Sequence, residues 1–237
     1  MYGMNILITA GGNTEKIDEV RTIRNTGTGR LGALIAEKLS SAPEAPRIFY
    51  VCDRHAATPS AGDVTVIHAN DVTALGEAVR TVCAEHRIDA VVHSMAVSDY
   101  RVKKVTTALK AADSIADAPD IRDGGKISSD LDDVLVVLER APKIIALFRE
   151  LAPDAVVVGF KLLSDVDEEE LIRVGYGLLK KNDCDYVLAN DTKYLRKGGH
   201  VGHLVAKDGS YQSYDGKEAI AEAIATVVRQ KALDSAR

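Results

Sequence analysis

Short apolar runs rich in β-branched residues recur along the chain, most of them followed by a longer stretch with helical spacing. "MNILITA" (4–10) is the first run, and it ends at Gly11-Gly12. It reads as a buried strand closed by a turn. From Thr28 onward, Leu31, Leu34, Ile35, Lys38 and Leu39 give one apolar face with a long polar member, the spacing of an amphipathic helix. "RIFYVC" (47–52) and "VTVIHA" (64–69) read as the second and third strands. Asp71 stands where a cap is needed for a helix running to about His86. "IDAVVHSMAV" (88–97) is a fourth strand running into a loop. Then come a helix near 142–151, the strand "AVVVGFKL" (155–162), a helix at about 167–181 and the strand "CDYVLAND" (184–191). "GHLVAKDGSYQSY" (202–214) has strand character on both sides of Asp208-Gly209, a hairpin signal. An amphipathic helix over 216–233 closes the chain.

Strands alternating with helices predict an α/β fold: a Rossmann-like, mostly parallel sheet with helices on both faces, plus the late β-hairpin. Two stretches break the alternation. Residues 13–26 are polar and have no sustained period. Residues 103–130 are polar, charged and glycine-bearing. They read as a mobile, lid-like segment with one short helix at 104–112, since a loop this long inside a compact domain is usually a lid or disordered. No internal repeat and no linker appear, so 1–237 reads as one domain. The 202–214 hairpin then has two places to go, an edge of the sheet or a dimer contact.

Composition narrows the classes. The chain has 237 residues, 46% of them apolar, and a net charge of −5, enough to bury a substantial core. It holds no Lys/Arg-rich block of five or more, so no nucleic-acid groove is expected. Small anions remain possible ligands, because a few placed Lys, Arg and backbone N–H groups hold them. The cysteines, Cys52, Cys83 and Cys184, are far apart and odd in number, which points to reduced, cytoplasmic chemistry. Apolar runs such as "AVVVGF" (155–160) fall far short of the ~18 residues of a membrane span. Met1 is not followed by a basic region and an apolar core, so no signal peptide is read.

"GTGRLG" (27–32) fits G-x-G-x-x-G, and Asp53 lies about twenty residues beyond its end, where an NAD-binding motif expects a ribose partner. One reading is therefore an NAD(P)-dependent oxidoreductase. In that motif, however, the glycines directly follow the first strand, whereas Gly27 comes seventeen residues after Ala10. The glycines can still serve the same physics: Gly27 and Gly29 permit close backbone approach, and Gly32 permits close helix packing. The intervening loop would carry Lys16, Arg21, Arg24 and Asn25 over the sheet edge.

The longer stretch "GGNTEKIDEVRTIRNTGTGRLG" (11–32) resembles the phosphopantothenate–cysteine ligase family. "HSMAVSDY" (93–100), "KISS" (126–129), "PKII" (142–145), "VGF" (158–160) and "LKKNDCDYVLAND" (179–191) are similar to further segments of that family, in the same order. The likeness covers nearly the whole chain, and its wording is closest to the standalone bacterial ligases. Many bacteria fuse this domain to a flavin-dependent decarboxylase. None precedes Met1 here, so decarboxylation, and a flavin, are not expected.

The resemblance implies a homodimeric enzyme of coenzyme A biosynthesis that joins 4′-phosphopantothenate to cysteine. CTP would be the cosubstrate, with Mg²⁺, and ATP the less favoured nucleotide. The carboxylate would attack the α-phosphate to form an acyl-nucleotidylate, and cysteine's amine would displace the monophosphate. By position in the motifs, Asn25 would act on the acyl intermediate and Lys126 would bring its ammonium onto the phosphates as the lid closes. Gly11, Gly27, Gly29 and Arg30 would form the phosphate loop, with Arg30 in place of the more usual lysine. Ser94, Met95 and Asp99 would hold the nucleotide, Asp99 through ribose hydroxyls. Pro142, Lys143, Ile144 and Ile145 would read the base through main-chain groups beside Phe160, and Lys181 would reach the phosphates. The chain departs from the pattern at Ser128, Ser129 and Gly177, where relatives often carry lysine. A catalytically inactive nucleotide-binding relative is therefore a third reading. His200-x-x-His203 reads as a coincidence, and no zinc-type ligand cluster is seen.

Overall fold

In the computed structural model, residues 3–41, 45–60, 62–122, 125–196 and 199–235 are described. The elements begin with β1 (Asn5–Ala10), β2 (Thr14–Lys16), β3 (Thr22–Arg24) and α1 (Arg30–Ser40). Next are β4 (Arg47–Cys52), β5 (Val64–His68), α2 (Val72–Glu85) and β6 (Ala90–His93). The middle of the chain supplies β7 (Tyr100–Thr107), β8 (Val134–Arg140), α3 (Ile144–Leu151) and β9 (Val156–Leu163). The rest is α4 (Glu168–Lys181), β10 (Tyr186–Asp191), α5 (Thr192–Arg196), β11 (Val201–Ala206), β12 (Tyr211–Asp215) and α6 (Lys217–Ser235).

Period-two alternation builds the sheet and its two cores at once. Ile6 and Ile8 of β1 join one buried cluster with Ile48 and Tyr50 of β4 and Val156 and Val158 of β9. That face is covered by α1 and α6 through Ile35, Leu39, Ile220, Ile224 and Val228. The residues between them, Leu7, Phe49, Val51 and Val157, face the other way, onto α2, α3 and α4 through Leu75, Val79, Phe148 and Leu179. Successive strand side chains point to opposite faces, so one apolar run feeds both layers. The order is β12-β11-β10-β9-β6-β1-β4-β5, parallel from β10 to β5. The antiparallel β11 and β12 extend the sheet beyond β10. The 202–214 hairpin thus lies at a sheet edge.

Asp71 caps α2 by accepting from Ala74 N–H at 2.8 Å, and Asp167 caps α4 by accepting from Glu170 N–H at 2.7 Å. β4 and β5 lie to one side of β1, and β6, β9 and β10 to the other. The chain changes direction across the sheet between β1 and β6. At such a switch point a crevice opens beyond the carboxyl ends of the strands.

Two stretches differ from expectation. Residues 13–26 contain the β2–β3 hairpin, too short for a period to show. The short helix expected at 104–112 is absent: Lys104–Thr107 belong to β7, which pairs antiparallel with β8 as a separate two-stranded arm. Val105, Thr106 and Thr107 are β-branched and favour a strand. The register slips between Val102 and Lys104. A bulge of that kind breaks the alternation that would have identified the strand.

Candidate active site

Gly27 comes seventeen positions after Ala10 in sequence, but the β2–β3 hairpin closes that gap in space. A Cβ on Gly12 would sit 1.9 Å from the Asn25 carbonyl oxygen, and one on Gly27 would sit 2.5 Å from the Gly11 carbonyl oxygen. The two turns touch backbone to backbone, which only residues without a side chain permit. Gly29, at φ 74°, stands at the N-cap of α1. A Cβ on Gly32 would lie 2.6 Å from the Ala10 Cβ and 2.8 Å from the Ser94 hydroxyl, so this glycine brings α1 tight against the sheet. The glycine loop therefore does sit at the end of β1, with a hairpin inserted ahead of it.

Carboxylates hold this loop. Asp53 is buried. Its Oδ2 accepts from Gly12 N–H at 3.0 Å, and its Oδ1 accepts from His55 N–H at 2.8 Å and Arg24 at 3.3 Å. Both oxygens are committed to the loop, which takes away the ribose contact that the NAD reading needed. Glu15 accepts from Val72 N–H at 3.0 Å at the start of α2. Burial pushes the Glu15 carboxyl above the usual carboxylate range, against the pull of that hydrogen bond. Asn25 closes the loop: its N–H donates to Asn13 O at 3.0 Å, and its side-chain amide donates to Ala96 O at 2.9 Å.

Beyond the strand ends lies a cleft of about 1300 Å³. Asn25, Gly11, Gly27, Gly29 and Arg30 line one side of it. Ser94, Met95, Asp99, Pro142, Lys143, Ile144, Ile145, Phe160 and Lys181 line the rest. The Ser94 hydroxyl donates to Thr9 O at 2.8 Å, which fixes the strand end. Asp99 and Lys143 form an ion pair at an exposed rim, and the Asp99 carbonyl accepts from Ala141 N–H at 2.9 Å. Lys180 lies over the Tyr176 ring at 5.4 Å, so it is turned away from the task of Lys181.

Lys126 is the exception. It is exposed and does not line the cleft, although its neighbour Ile127 is buried. Asn190 lines the cleft, whereas the adjacent Asp191 is structural. Asp191 is buried and accepts from Asp165, Val166 and Lys193 N–H groups at 2.7–3.0 Å. Burial alone would raise its pKa, but those three bonds together hold it below the usual range.

Sequence reasoning missed His93, His200, Lys217 and Glu218, which also line the cleft. His93 is buried, its Nδ1 is 2.7 Å from the Thr9 hydroxyl, and burial pushes its pKa down to about 4. It stays neutral there near pH 7. Both ring nitrogens of His200 are buried without a hydrogen-bond partner among the described residues. Burial, then the charge of Lys217, push its pKa down. His93 opens the 93–100 motif, but no motif marks His200, Lys217 or Glu218. Gly216 N–H donates to His200 O at 2.9 Å and brings the start of α6 back to the cleft.

The family described as "DFP: DNA/pantothenate metabolism flavoprotein C-terminal domain" matches residues 1–232. A solved structure described as the DNA/pantothenate metabolism flavoprotein from Streptococcus pneumoniae superposes with a TM-score of 0.85 at 31% identity. The match covers 96% of this chain and 99% of that one. The "Coenzyme A biosynthesis bifunctional protein CoaBC" of Thermococcus kodakarensis is 29% identical over 209 residues, 88% of this chain and 46% of the relative. The chain thus spans about half the length of the curated relatives it matches. A structure described as "Cab2 mutant H337A complex with phosphopantothenate-cysteine" shares the fold, with a TM-score of 0.73 at 19% identity.

Proposed function

The chain belongs to the family of DNA/pantothenate metabolism flavoprotein C-terminal domains, and on that footing we propose that it is a phosphopantothenate–cysteine ligase. It joins 4′-phosphopantothenate and L-cysteine in coenzyme A biosynthesis, with CTP as the cosubstrate. The supporting observation is that one cleft collects every residue assigned a role by motif position, apart from Lys126.

In this reading the phosphopantothenate carboxylate oxygen attacks the α-phosphorus of CTP. The α–β bridge breaks and pyrophosphate leaves. Cysteine's amine then attacks the acyl carbon, loses a proton, and expels CMP. Both steps bring anions together, so positioning and charge stabilisation carry the catalysis. The N–H groups at the start of α1 face developing phosphate charge, with Arg30 and Lys181 as cations. Asn25 is held by Ala96 O through one amide hydrogen, and its second hydrogen is suited to an acyl oxyanion. Asp99, held by Lys143, takes the ribose hydroxyls. Main-chain groups over 142–145 read the base against Phe160. Lys126, exposed and outside the cleft, would swing its side chain to bring the ammonium onto the phosphates.

The magnesium belongs to the nucleotide cosubstrate and keeps most of its ligands as phosphate and water. Among the described residues no group of three His, Cys, Asp or Glu could hold a metal ion. The cysteines are free, with the buried Cys52 and Cys184 thiols pushed up by burial to about 11 and 12. It is the absence of pairing among the described cysteines, not their pKa, that supports a reducing, cytoplasmic setting. No described helix is long and apolar enough to cross a membrane.

A second copy of the chain is the expected partner. We place the contact on the β7–β8 arm rather than the 202–214 hairpin. Val134, Val136 and Leu138 expose 36–44% of their surface along one face of the arm. A two-stranded ribbon with apolar residues outward is marginal alone in water and marks an interface.

The test is pyrophosphate release with 4′-phosphopantothenate, Mg²⁺ and either CTP or ATP, with and without cysteine. Release that needs phosphopantothenate and prefers CTP is expected. Asn25→Ala is expected to keep a single turnover of pyrophosphate but to lose about 10²–10³-fold in amide formation. A folded protein that binds CTP and releases nothing would leave the inactive relative as the better reading.

A further inference from the structure

Asp18 stands in the turn between β2 and β3, in the same motif as Asn25 but outside the cleft lining, and its side chain is fully buried. A buried carboxylate must be satisfied by donors. Its Oδ1 accepts from Val20 N–H at 2.9 Å and Arg21 N–H at 2.7 Å, which closes the turn. Its Oδ2 accepts from Ile127 N–H at 3.0 Å, a residue 109 positions away. The Arg21 guanidinium lies 3.2 Å from the same oxygen and donates to the Ile127 carbonyl at 3.1 Å. Ile127 is therefore gripped at both backbone groups, and the residue is 4% exposed. One residue before it stands Lys126, exposed and outside the cleft. One residue after β3 stands Asn25.

We infer that Asp18 is a positioning residue, whose buried carboxylate ties the Lys126 segment to the same hairpin that carries Asn25. The tie sets the origin from which Lys126 swings toward the phosphates. It leaves the Lys126 side chain free while fixing the backbone one residue away. The inference rests on the ligase reading for the purpose of the tie, and on the hydrogen bonds alone for its existence. Burial by itself would raise the Asp18 carboxyl's pKa, but three backbone N–H bonds and Arg21 hold it below the usual range.

Two readouts separate these layers. Asp18→Asn leaves one acceptor oxygen where two are needed, and Ile127→Pro removes the same hydrogen bond from the donor side, keeping the Asp18 carboxylate. Hydrogen exchange at residues 125–129 of Asp18→Asn should speed up by about tenfold or more while the sheet amides keep their protection. The rate of acyl-nucleotidylate formation should fall by about 10–100-fold, at unchanged KM for CTP. Ile127→Pro should show the same kinetic loss. In a Lys126→Ala background, Asp18→Asn should add little, because both changes remove one positioned ammonium. Equal losses in the two backgrounds would overturn the inference, as would exchange left unaltered by Asp18→Asn. An inactive wild type would instead sink the ligase reading and the purpose of the tie, while the exchange rates still report whether the tie exists.

Discussion

The chain leaves its sheet twice to make a two-stranded ribbon, and the two excursions are built in opposite ways. The first, between β1 and α1, folds back on itself until Gly12 meets Asn25 and Gly27 meets Gly11. Buried carboxylates hold it: Asp53 on Gly12 and Arg24, Glu15 on the start of α2, and Asp18 on its own turn. The second, β7 and β8, reaches out and shows apolar side chains. Polar ties close the first within the chain, although Val20 and Ile23 are exposed on it. The second carries a row of three exposed apolar residues, Val134, Val136 and Leu138, along one face, a surface that needs a cover. Hydrogen bonds to buried carboxylates fix geometry over fractions of an ångström, which suits a catalytic loop. Apolar contact is less directional and suits an interface.

The largest effect should come from the first excursion. Asp53→Ala leaves the Gly12 and His55 N–H groups and Arg24 without their acceptor. The expected loss is about 3–5 kcal/mol of folding stability, read from urea unfolding. Nucleotide binding should weaken at the same time, because Gly12 no longer braces Gly27. Unchanged stability would mean that water replaces the carboxylate, and the loop would then be less closed than its backbone contacts imply.

A smaller effect should come from the arm. Val136→Glu sets two like charges against each other if two arms meet. Dimer dissociation should strengthen by about 10²–10³-fold, roughly 3–4 kcal/mol, seen by sedimentation at micromolar protein. Tyr211→Glu on the sheet-edge hairpin should leave assembly alone. The reverse result would move the contact to 202–214 and break the contrast between the excursions.

The same contrast explains what was legible in the sequence. The parallel sheet was, because Ile6, Leu7 and Ile8 serve two cores and therefore form an unbroken apolar run. The capping roles of Asp71 and Asp167 follow local rules, and Asp71 was readable for that reason. β2 and β3 were not readable, since three residues carry no period. β7 was hidden by the slip at Val102/Lys104. In the site, ordered motifs brought out Asn25, Asp99, Phe160 and Lys181. They could not separate residues that touch the cleft from residues that hold it. Asp18 and Glu15 sit in the same motif as Asn25, yet they act on Ile127 and Val72. His200 and Lys217 carry no motif, and only the return of β11 and β12 places them at the cleft.

The smallest effect belongs where neither kind of contact exists. Gly177 lies in α4, one turn before Lys181, and a Cβ built there meets nothing within 4 Å. The family pattern that the sequence resembles places a lysine here, so its absence asks whether the phosphates lose a cation. Gly177→Ala should stabilise the protein by about 0.5–1 kcal/mol through helix propensity alone, with the KM for CTP unchanged. Gly177→Lys should gain about 0.2–0.5 kcal/mol less, because its ammonium repels Lys181 in the free enzyme. Bound triphosphate relieves that repulsion, so the KM for CTP should fall by about two- to fivefold, the worth of one exposed charge contact. The difference between the two variants isolates charge from backbone. Equal KM values would mean that Arg30 and Lys181 already saturate the phosphates and that the glycine costs the site nothing.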